Sequence, residues 1–308
     1  MEIISLPSVP TSTSGICATI GFFDGVHRGH QFLLAELRKI AEEKQEKSAV
    51  ITFRNHPRTR LQTDFIPKLL TSTEEKLELI EENGVDYCIL LDFTPEIAQM
   101  TAEEFIREIL STQLNVKTLL IGYDHRFGKD RSEGFDDYVR FGQSCGMDVV
   151  QASAFEECHI SSTVIRNKIL HQEIREAGFL LGHLYCLTGK VIHGNRLGRK
   201  IGFPTANLNI YEPGKIIPPE GIYAVWTLVG GKDIYPGMAY IGKRPTVSNQ
   251  MEERIEVHLM GFAGNLYGRT IRIEFLEYMR GDQKFDSLEE LQKQLYKDQE
   301  RALLILIP

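Results

Sequence analysis

The chain has 308 residues, of which 42% are hydrophobic and 25% charged, and its formal net charge at pH 7 is −7. This composition is typical of a globular protein, and the length allows two domains. The net negative charge disfavours a general nucleic-acid-binding surface, so we expect no nucleic-acid partner. No apolar run approaches the roughly 18 residues of a membrane-spanning helix, and the first residues lack a signal-peptide pattern, so we expect a cytoplasmic protein without a membrane partner.

The cysteines are scattered along the sequence, at Cys17, Cys88, Cys145, Cys158 and Cys186. Their number is odd, and no two of them form a Cys-x-x-Cys pair. We therefore expect buried free thiols, as in a protein of a reducing compartment, rather than a disulfide framework.

Up to about residue 150, apolar β-prone runs alternate with helical patterns. Predicted strands cover residues 17–23, 48–53, 86–92, 116–122 and 147–151. Capping-box patterns at Thr71–Glu75 and Thr101–Glu104 predict two helix starts, and Gly84 ends the first of these helices. This alternation predicts an α/β domain with a parallel, doubly wound sheet. Ligands of such sheets bind at the carboxyl ends of the strands, where the strand order reverses.

From about Leu187 the pattern changes to short strands separated by turns. Predicted strands cover residues 189–193, 221–229, 237–241, 254–260 and 270–276. Within the fourth run, apolar and polar residues alternate with a period of two, which is typical of half-buried antiparallel strands. Ser287 opens a final amphipathic helix. The residues alone therefore predict a small β-barrel or a β-sandwich, followed by a C-terminal helix.

The segment Gly21–His30 (GFFDGVHRGH) lies where a predicted strand meets a predicted helix. Gly25 and Gly29 permit close approach of the backbone, and His27 and His30 supply donors at a helix N-terminus, which attracts anions. A His-x-x-His pair alone is more often structural, and metal binding is a second interpretation. Because no cysteine or third histidine stands nearby in the sequence, we interpret the segment as a phosphate site.

Three further segments follow a predicted strand or open a helix: Thr52–Arg58 (TFRNHPR), Gly122–Arg131 (GYDHRFGKDR) and Ile160–Arg166 (ISSTVIR). Taken singly, the hydroxyls of Ser161, Ser162 and Thr163 are most simply helix N-caps. With Arg166 one turn later, they also predict a second anion site, since arginine binds phosphate with two parallel hydrogen bonds.

These four motifs together resemble the adenylyltransferase half of the prokaryotic bifunctional riboflavin kinase/FMN adenylyltransferases, the bacterial FAD synthetases. The segment Gly189–Leu208, with GKRPT, IEVHL and LYG further on, resembles their riboflavin kinase half. The resemblance covers nearly the whole chain in the expected order. It implies a Rossmann-like nucleotidylyltransferase domain over residues 1–182 and a six-stranded antiparallel β-barrel kinase domain with a terminal helix over residues 183–308.

The resemblance implies that the first domain converts FMN and ATP into FAD and pyrophosphate. Its catalytic residues are then His27, His30 and Arg166. Its ATP-binding residues are Gly21, Phe22, Asp24, Gly25, Gly29, Asp124, Ser161, Ser162 and Thr163. Its flavin-binding residues are His56, Arg58 and Phe127.

The resemblance also implies that the second domain phosphorylates riboflavin to FMN with ATP. Three glycines are expected to let backbone amides approach the phosphates of ATP: Gly194, Gly198 and Gly202. We call the segment that contains them the glycine loop. Thr205 and Asn207 are expected to hold Mg²⁺ through oxygen ligands. Glu256 is expected to act as the general base on the ribityl 5′-hydroxyl, although an outward-facing strand carboxylate is the ordinary alternative.

Four positions depart from the common pattern of the family: His125, His159, Tyr240 and Asp282. None of them removes a residue assigned to catalysis, so we expect both activities, with ATP, riboflavin and FMN as partners. Two alternatives remain: a flavin- or nucleotide-binding regulator on the same scaffold, and a single-activity adenylyltransferase. The sequence predicts nothing about self-association.

Overall fold

The computed structural model describes residues 1–6, 15–54, 68–123, 125–129, 131–155, 160–194, 197–212, 214–245 and 251–307. The chain divides into two compact units, Met1–Ser161 and Ser162–Pro308. We expected the domain boundary after residue 182, which is about 20 residues further along the chain than the boundary between the two units. The helices Ser162–Leu170 and Ile174–Leu181, which we assigned to the first domain, therefore fall within the second unit. Where the two functions divide the chain stays a prediction.

The first unit contains a parallel six-stranded sheet in the order β1-β4-β3-β2-β5-β6. Its strands are β1 (Glu2–Ser5), β2 (Ile16–Ile20), β3 (Lys47–Phe53), β4 (Tyr87–Leu91), β5 (Val116–Ile121) and β6 (Asp148–Gln151). The predicted parallel sheet is confirmed. The short edge strand β1 was not predicted, because its pairing with β4 is a tertiary contact without a local signal.

The helices of the first unit are α1 (Arg28–Lys44), α2 (Thr73–Glu82), α3 (Pro95–Gln99), α4 (Ala102–Glu104), a π-helix (Phe105–Gln113) and α5 (Phe135–Ser144). The predicted capping boxes are confirmed. Ser72 and Glu75 exchange side-chain and backbone hydrogen bonds at the start of α2, and Thr101 and Glu104 do so at α4. The π-helix that continues α4 was not predicted.

The sheet is buried on both faces. Within β2, Ile16, Ala18 and Ile20 enter one apolar cluster, whereas Cys17 enters another. Since β2 lies between β3 and β5, the strand order reverses beside it. The segment Gly21–His30 therefore follows the strand at which a doubly wound sheet binds its ligand.

The second unit contains a closed antiparallel barrel in the order β10-β11-β8-β7-β12-β9. Its strands are β7 (Tyr185–Ile192), β8 (Ala206–Ile210), β9 (Gly221–Val229), β10 (Asp233–Pro245), β11 (Met251–Leu259) and β12 (Thr270–Arg280). Closure excludes the sandwich that the residue pattern had left open. Strand β8 was not predicted, since most of it lies inside the segment Gly189–Leu208, which was interpreted by its resemblance to the kinase half.

The helices of the second unit are α6 (Ser162–Leu170), α7 (Ile174–Leu181), α8 (Leu197–Lys200) and α9 (Leu288–Leu306). Helix α7 packs against β7 and β12, and its Arg175 forms an ion pair with Glu277 of β12. The side chain of Ser287 caps α9, as predicted. Ala302 and Leu306 of α9 belong to one apolar cluster with barrel residues.

Four of the five cysteines lie in the described part of the chain, and all four are free thiols, as predicted. Burial raises the pKa of Cys17 and of Cys88 to about 12, so both thiols stay protonated near pH 7. Cys158 lies outside the described residues. Among the helices that the structure describes, none combines the length and the apolar character that crossing a membrane requires.

Candidate active sites

The loop between β2 and α1 is anchored by a buried carboxylate. Asp24 is 3% exposed and accepts hydrogen bonds from the backbone amides of Leu70, at 2.9 Å, and Thr71, at 3.1 Å. In return, the amide of Gly25 donates to the hydroxyl of Thr71 at 3.1 Å. Asp24 was predicted to bind ATP, and these bonds direct its carboxylate to the protein backbone. They hold the loop in shape.

The two histidines of the motif stack on each other at the start of α1. His27 is the N-cap of α1, and its Nδ1 accepts a hydrogen bond of 3.3 Å from the amide of His30. The ring centroids are 3.7 Å apart, with 13° between the planes. Because Nδ1 is an acceptor, the proton of neutral His27 lies on Nε2. A Cβ at Gly29 would lie 3.3 Å from Nδ1, so glycine leaves room for this ring.

Burial lowers the pKa of His30 well below 6.5, and the positive charges of His27, His125 and Lys76 lower it further. His30 is therefore neutral near pH 7 in the folded protein. In that state it contributes a single N–H donor to an anion rather than a full positive charge. The N-terminus of α1 therefore carries the neutral imidazole of His30 beside its partly positive backbone amides.

Lys76 of α2 is a buried cation that the sequence analysis missed. It is 3% exposed, and its Nζ donates to the carbonyl of Phe53 at 2.9 Å, the hydroxyl of Thr52 at 3.2 Å and the carbonyl of Phe22 at 3.3 Å. These bonds join the ends of β2 and β3. The signal was present in the sequence, because Lys76 lies three residues before Leu79, on the apolar face of the helix.

A cavity of about 360 Å³ opens beyond the carboxyl ends of the sheet strands. Its aromatic wall comprises Phe22, Phe53, Phe93, Phe105 and Phe127, and its basic residues are Arg126, Lys129 and Arg131. Phe127 stacks on Tyr138 with centroids 4.6 Å apart, which fixes its ring. His125, one of the four unusual positions, also lines the cavity. An aromatic cavity with cationic side chains suits a planar anionic ligand.

Some residues predicted for the transferase site belong to the second unit of the chain or are not described. Ser162, Thr163 and Arg166 occupy the first two turns of α6 in the second unit, where Arg166 donates to the hydroxyl of Thr163 at 3.4 Å. Ser161 precedes that helix as the last residue of the first unit. The predicted residues His56, Arg58 and Asp124, and the unusual His159, lie outside the described residues. Their roles stay predictions.

Three adjacent strands assemble the second site. Glu256 of β11 pairs in register with Asn207 of β8 and with Tyr240 of β10. Its carboxylate accepts a hydrogen bond of 2.9 Å from the hydroxyl of Thr205 and forms an ion pair with Arg254. Arg254 also donates from Nε to Oδ1 of Asn207, at 3.4 Å. The predicted base and both predicted metal ligands thus form one network, and its fourth member, Arg254, was missed.

The glycine loop lies directly against this network. A Cβ at Gly194 would lie 2.8 Å from Oδ1 of Asn207, and one at Gly198 would lie 3.6 Å from the hydroxyl of Thr205. Gly202, with φ +83°, adopts a conformation that favours glycine. Hydroxyl and amide oxygens beside a glycine backbone match the hard oxygen ligands of Mg²⁺ and the needs of a triphosphate. The residues present therefore fit a magnesium–nucleotide site.

A second cavity of about 360 Å³ adjoins the network and contains Thr205, Arg254 and Glu256 in its wall. Its apolar wall comprises Phe203, Ile222, Met238, Leu291 and Leu295. Tyr240 and Asp282, two of the four positions that depart from the common pattern of the family, also line this cavity. The hydroxyl of Tyr240 donates a hydrogen bond of 3.4 Å to the carboxylate of Asp282. The apolar wall beside the polar network would suit a hydrophobic ligand that also carries a polar group.

Comparison with known proteins finds a family match for each half of the chain. Residues 9–164 match the family model "FAD synthetase", and residues 181–306 match "Riboflavin kinase". The bifunctional riboflavin kinase/FMN adenylyltransferase of Escherichia coli K12 is 39% identical over 92% of this chain and 91% of its own length. That of Bacillus subtilis is 36% identical over 92% and 90%.

Similarity also extends to a solved structure. A crystal structure from Streptococcus pneumoniae, described as a macrolide-efflux protein, has a TM-score of 0.87 and 32% identity over 97% of this chain and 98% of that one. The family matches and the full-length relatives agree with the resemblance found in the sequence motifs. The chain belongs to the family of bifunctional riboflavin kinase/FMN adenylyltransferases.

Proposed function

We propose that this chain makes FMN from riboflavin and ATP, and then FAD from FMN and ATP. The observation that supports it best is the Thr205–Glu256–Asn207 network at the edge of an apolar cavity. A single-activity adenylyltransferase would leave this network without a role, because such an enzyme needs neither a carboxylate base nor a second phosphate-binding loop in the barrel. Its partners are the small molecules riboflavin, FMN and ATP, and the free cysteines favour a cytoplasmic location.

In the kinase reaction, we assign Glu256 as the base that accepts the proton of the riboflavin 5′-hydroxyl. The hydroxyl oxygen attacks the γ-phosphorus of ATP, and ADP leaves with the electrons of the broken P–O bond. The hydrogen bond from Thr205 orients the carboxylate, and the backbone amides at Gly194 and Gly198 approach the phosphates. Thr205 and Asn207 would hold Mg²⁺, which would supply positive charge against the phosphates.

In the transferase reaction, a phosphate oxygen of FMN attacks the α-phosphorus of ATP, and pyrophosphate leaves. His27 and His30 donate hydrogen bonds to the phosphate oxygens on which charge develops, at the N-terminus of α1. The aromatic cavity accepts the isoalloxazine ring, and its arginines and lysine attract the phosphate of FMN. We assign Arg166, with the hydroxyls of residues 161–163, to the leaving pyrophosphate because of the resemblance to the family.

The test is a product assay with the full-length protein, riboflavin, ATP and Mg²⁺, with products separated by chromatography. We expect FMN and ADP to form first, followed by FAD and pyrophosphate. If no FMN forms from riboflavin, the kinase assignment is wrong; if no FAD forms from supplied FMN, the transferase assignment is wrong. A regulator on this scaffold would bind flavin and ATP without forming either product.

A further inference from the structure

Arg254 connects two groups that the kinase reaction uses separately. It lies two residues before Glu256 on β11, so both side chains lie on the same face of the strand. Its guanidinium forms an ion pair with Glu256 and donates from Nε to Oδ1 of Asn207, at 3.4 Å. The Arg254 side chain is 31% exposed and that of Glu256 is 15% exposed, so water screens their charges only in part.

The bond to Asn207 conflicts with the binding of a metal ion. A magnesium ion needs one of the two lone pairs of Oδ1, and the guanidinium of Arg254 occupies one of them. The Gly194 backbone lies against the same amide, since a Cβ there would lie nearest to Nδ2 and 2.8 Å from Oδ1. A divalent cation that approached Oδ1 would also meet the guanidinium charge in a partly buried site, where repulsion is stronger than in water.

We propose that Arg254 guards the magnesium site and makes metal binding conditional on the nucleotide. Without nucleotide, its guanidinium holds Asn207 and Glu256 together and opposes the bare metal ion. With nucleotide, the phosphate oxygens offer the guanidinium new acceptors and supply the negative charge that the metal ion requires. The proposal rests on the proposed kinase function, in which Thr205 and Asn207 bind the metal ion.

The test measures binding of Mn²⁺, as a paramagnetic substitute for Mg²⁺, to the full-length protein by electron paramagnetic resonance. Without nucleotide, we expect R254Q to bind Mn²⁺ roughly tenfold more tightly than the wild type, because a positive charge has been removed. R254K retains the charge and should bind like the wild type. With saturating ADP, R254Q and the wild type should differ by less than about threefold, because the phosphates then satisfy the guanidinium.

R272Q is the matched control. Arg272 pairs with Glu274 at 3.2 Å in the same barrel, and neither residue lines the kinase cavity. We expect R272Q to bind Mn²⁺ like the wild type, and circular dichroism checks that every variant has folded. An equal gain in R272Q or in R254K would contradict the proposal.

The variant N207A distinguishes a failure of the guarding role of Arg254 from a failure of the assigned metal site. We expect the R254Q/N207A protein to lose the gain in Mn²⁺ affinity. If R254Q shows no gain while N207A weakens Mn²⁺ binding in the presence of ADP, the guarding role is wrong and the metal site stands. If N207A changes metal binding in neither background, both the site and the guarding role are wrong. A gain that survives N207A also overturns the guarding role.

Discussion

Thr205 donates a 2.9 Å hydrogen bond from its hydroxyl to the carboxylate of Glu256. Thr205 directly precedes β8, and Glu256 lies in β11, the strand that pairs with β8. The pairing of β8 with β11 therefore brings a predicted metal ligand to a predicted base. A hydroxyl that donates to a carboxylate fixes its orientation and leaves its other lone pairs available to accept a proton.

Glu256→Gln should remove the base and leave the shape of the site intact. We expect FMN formation from riboflavin to fall by about 10²–10⁴, which is the usual contribution of a general base. FAD formation from supplied FMN should stay unchanged, because the first unit does not use Glu256. Glu274→Gln, which alters a barrel carboxylate outside the cavity, should retain both activities. Both rates are measured by chromatography of products, and an E256Q rate of FMN formation near that of the wild type would exclude the assignment.

His30→Ala should remove one donor from the phosphate site of the first unit. We expect FAD formation from FMN to fall by roughly 10²–10³, as is typical when a preorganised donor is lost. FMN formation from riboflavin should be retained, and it is measured in the same preparation as an internal control. His171→Ala, which truncates an exposed histidine after α6, should affect neither rate. Parallel loss of both activities in H30A would contradict separate sites.

The buried state of His30 predicts how stability depends on pH. Its folded-state pKa lies well below the value of about 6.5 expected in the unfolded chain, so below that pH the unfolded chain binds the proton first. His30 therefore contributes stability that is fully present above about pH 6.5 and is lost as the pH falls toward its folded-state pKa. His30→Phe keeps an aromatic ring without this titration.

We expect the melting temperature of the wild type to fall more between about pH 7 and about pH 5 than that of H30F. Differential scanning calorimetry of both proteins across this range measures the difference. Equal slopes for the two proteins would show that His30 does not carry this pH dependence.

Lys76→Met should destabilise the first unit. The change removes the Lys76 donor from the part-buried carbonyls of Phe22 and Phe53. The Phe22 carbonyl keeps the Thr52 hydroxyl as a donor, so the main cost is the lost bond to Phe53, and such a loss typically costs about 1–3 kcal/mol. We expect both the free energy of unfolding and the rate of FAD formation to fall, because Phe22 belongs to the segment Gly21–His30 that forms the phosphate site. FMN formation should be retained.

Lys39→Met is the matched control for Lys76→Met, since Lys39 is 76% exposed and lies 4.0 Å from Glu43. It should change the free energy of unfolding by less than about 0.5 kcal/mol. Urea denaturation measures both variants, and equal destabilisation by the two would contradict a specific role for Lys76.

Much of the fold could be predicted from local patterns. Alternating strands and helices predicted the parallel sheet, and the capping residues at Ser72, Thr101 and Ser287 predicted three helix starts. These signals are local, because a cap or an amphipathic period depends on residues within a few positions. The edge strand β1 and the barrel strand β8 were missed, because each is defined by its partner strand rather than by its own residues.

The candidate sites divide in the same way. The sequence by itself determined the motifs: the paired histidines, the glycine loop, and the spacing of Thr205, Asn207 and Glu256 that resembles a known family. Only the tertiary structure decided which groups meet. It turned the carboxylate of Asp24 toward the amides of Leu70 and Thr71, and it placed Arg254 on Asn207. The reason is physical: strand order and barrel closure create contacts between residues far apart in the chain, and no local pattern records them.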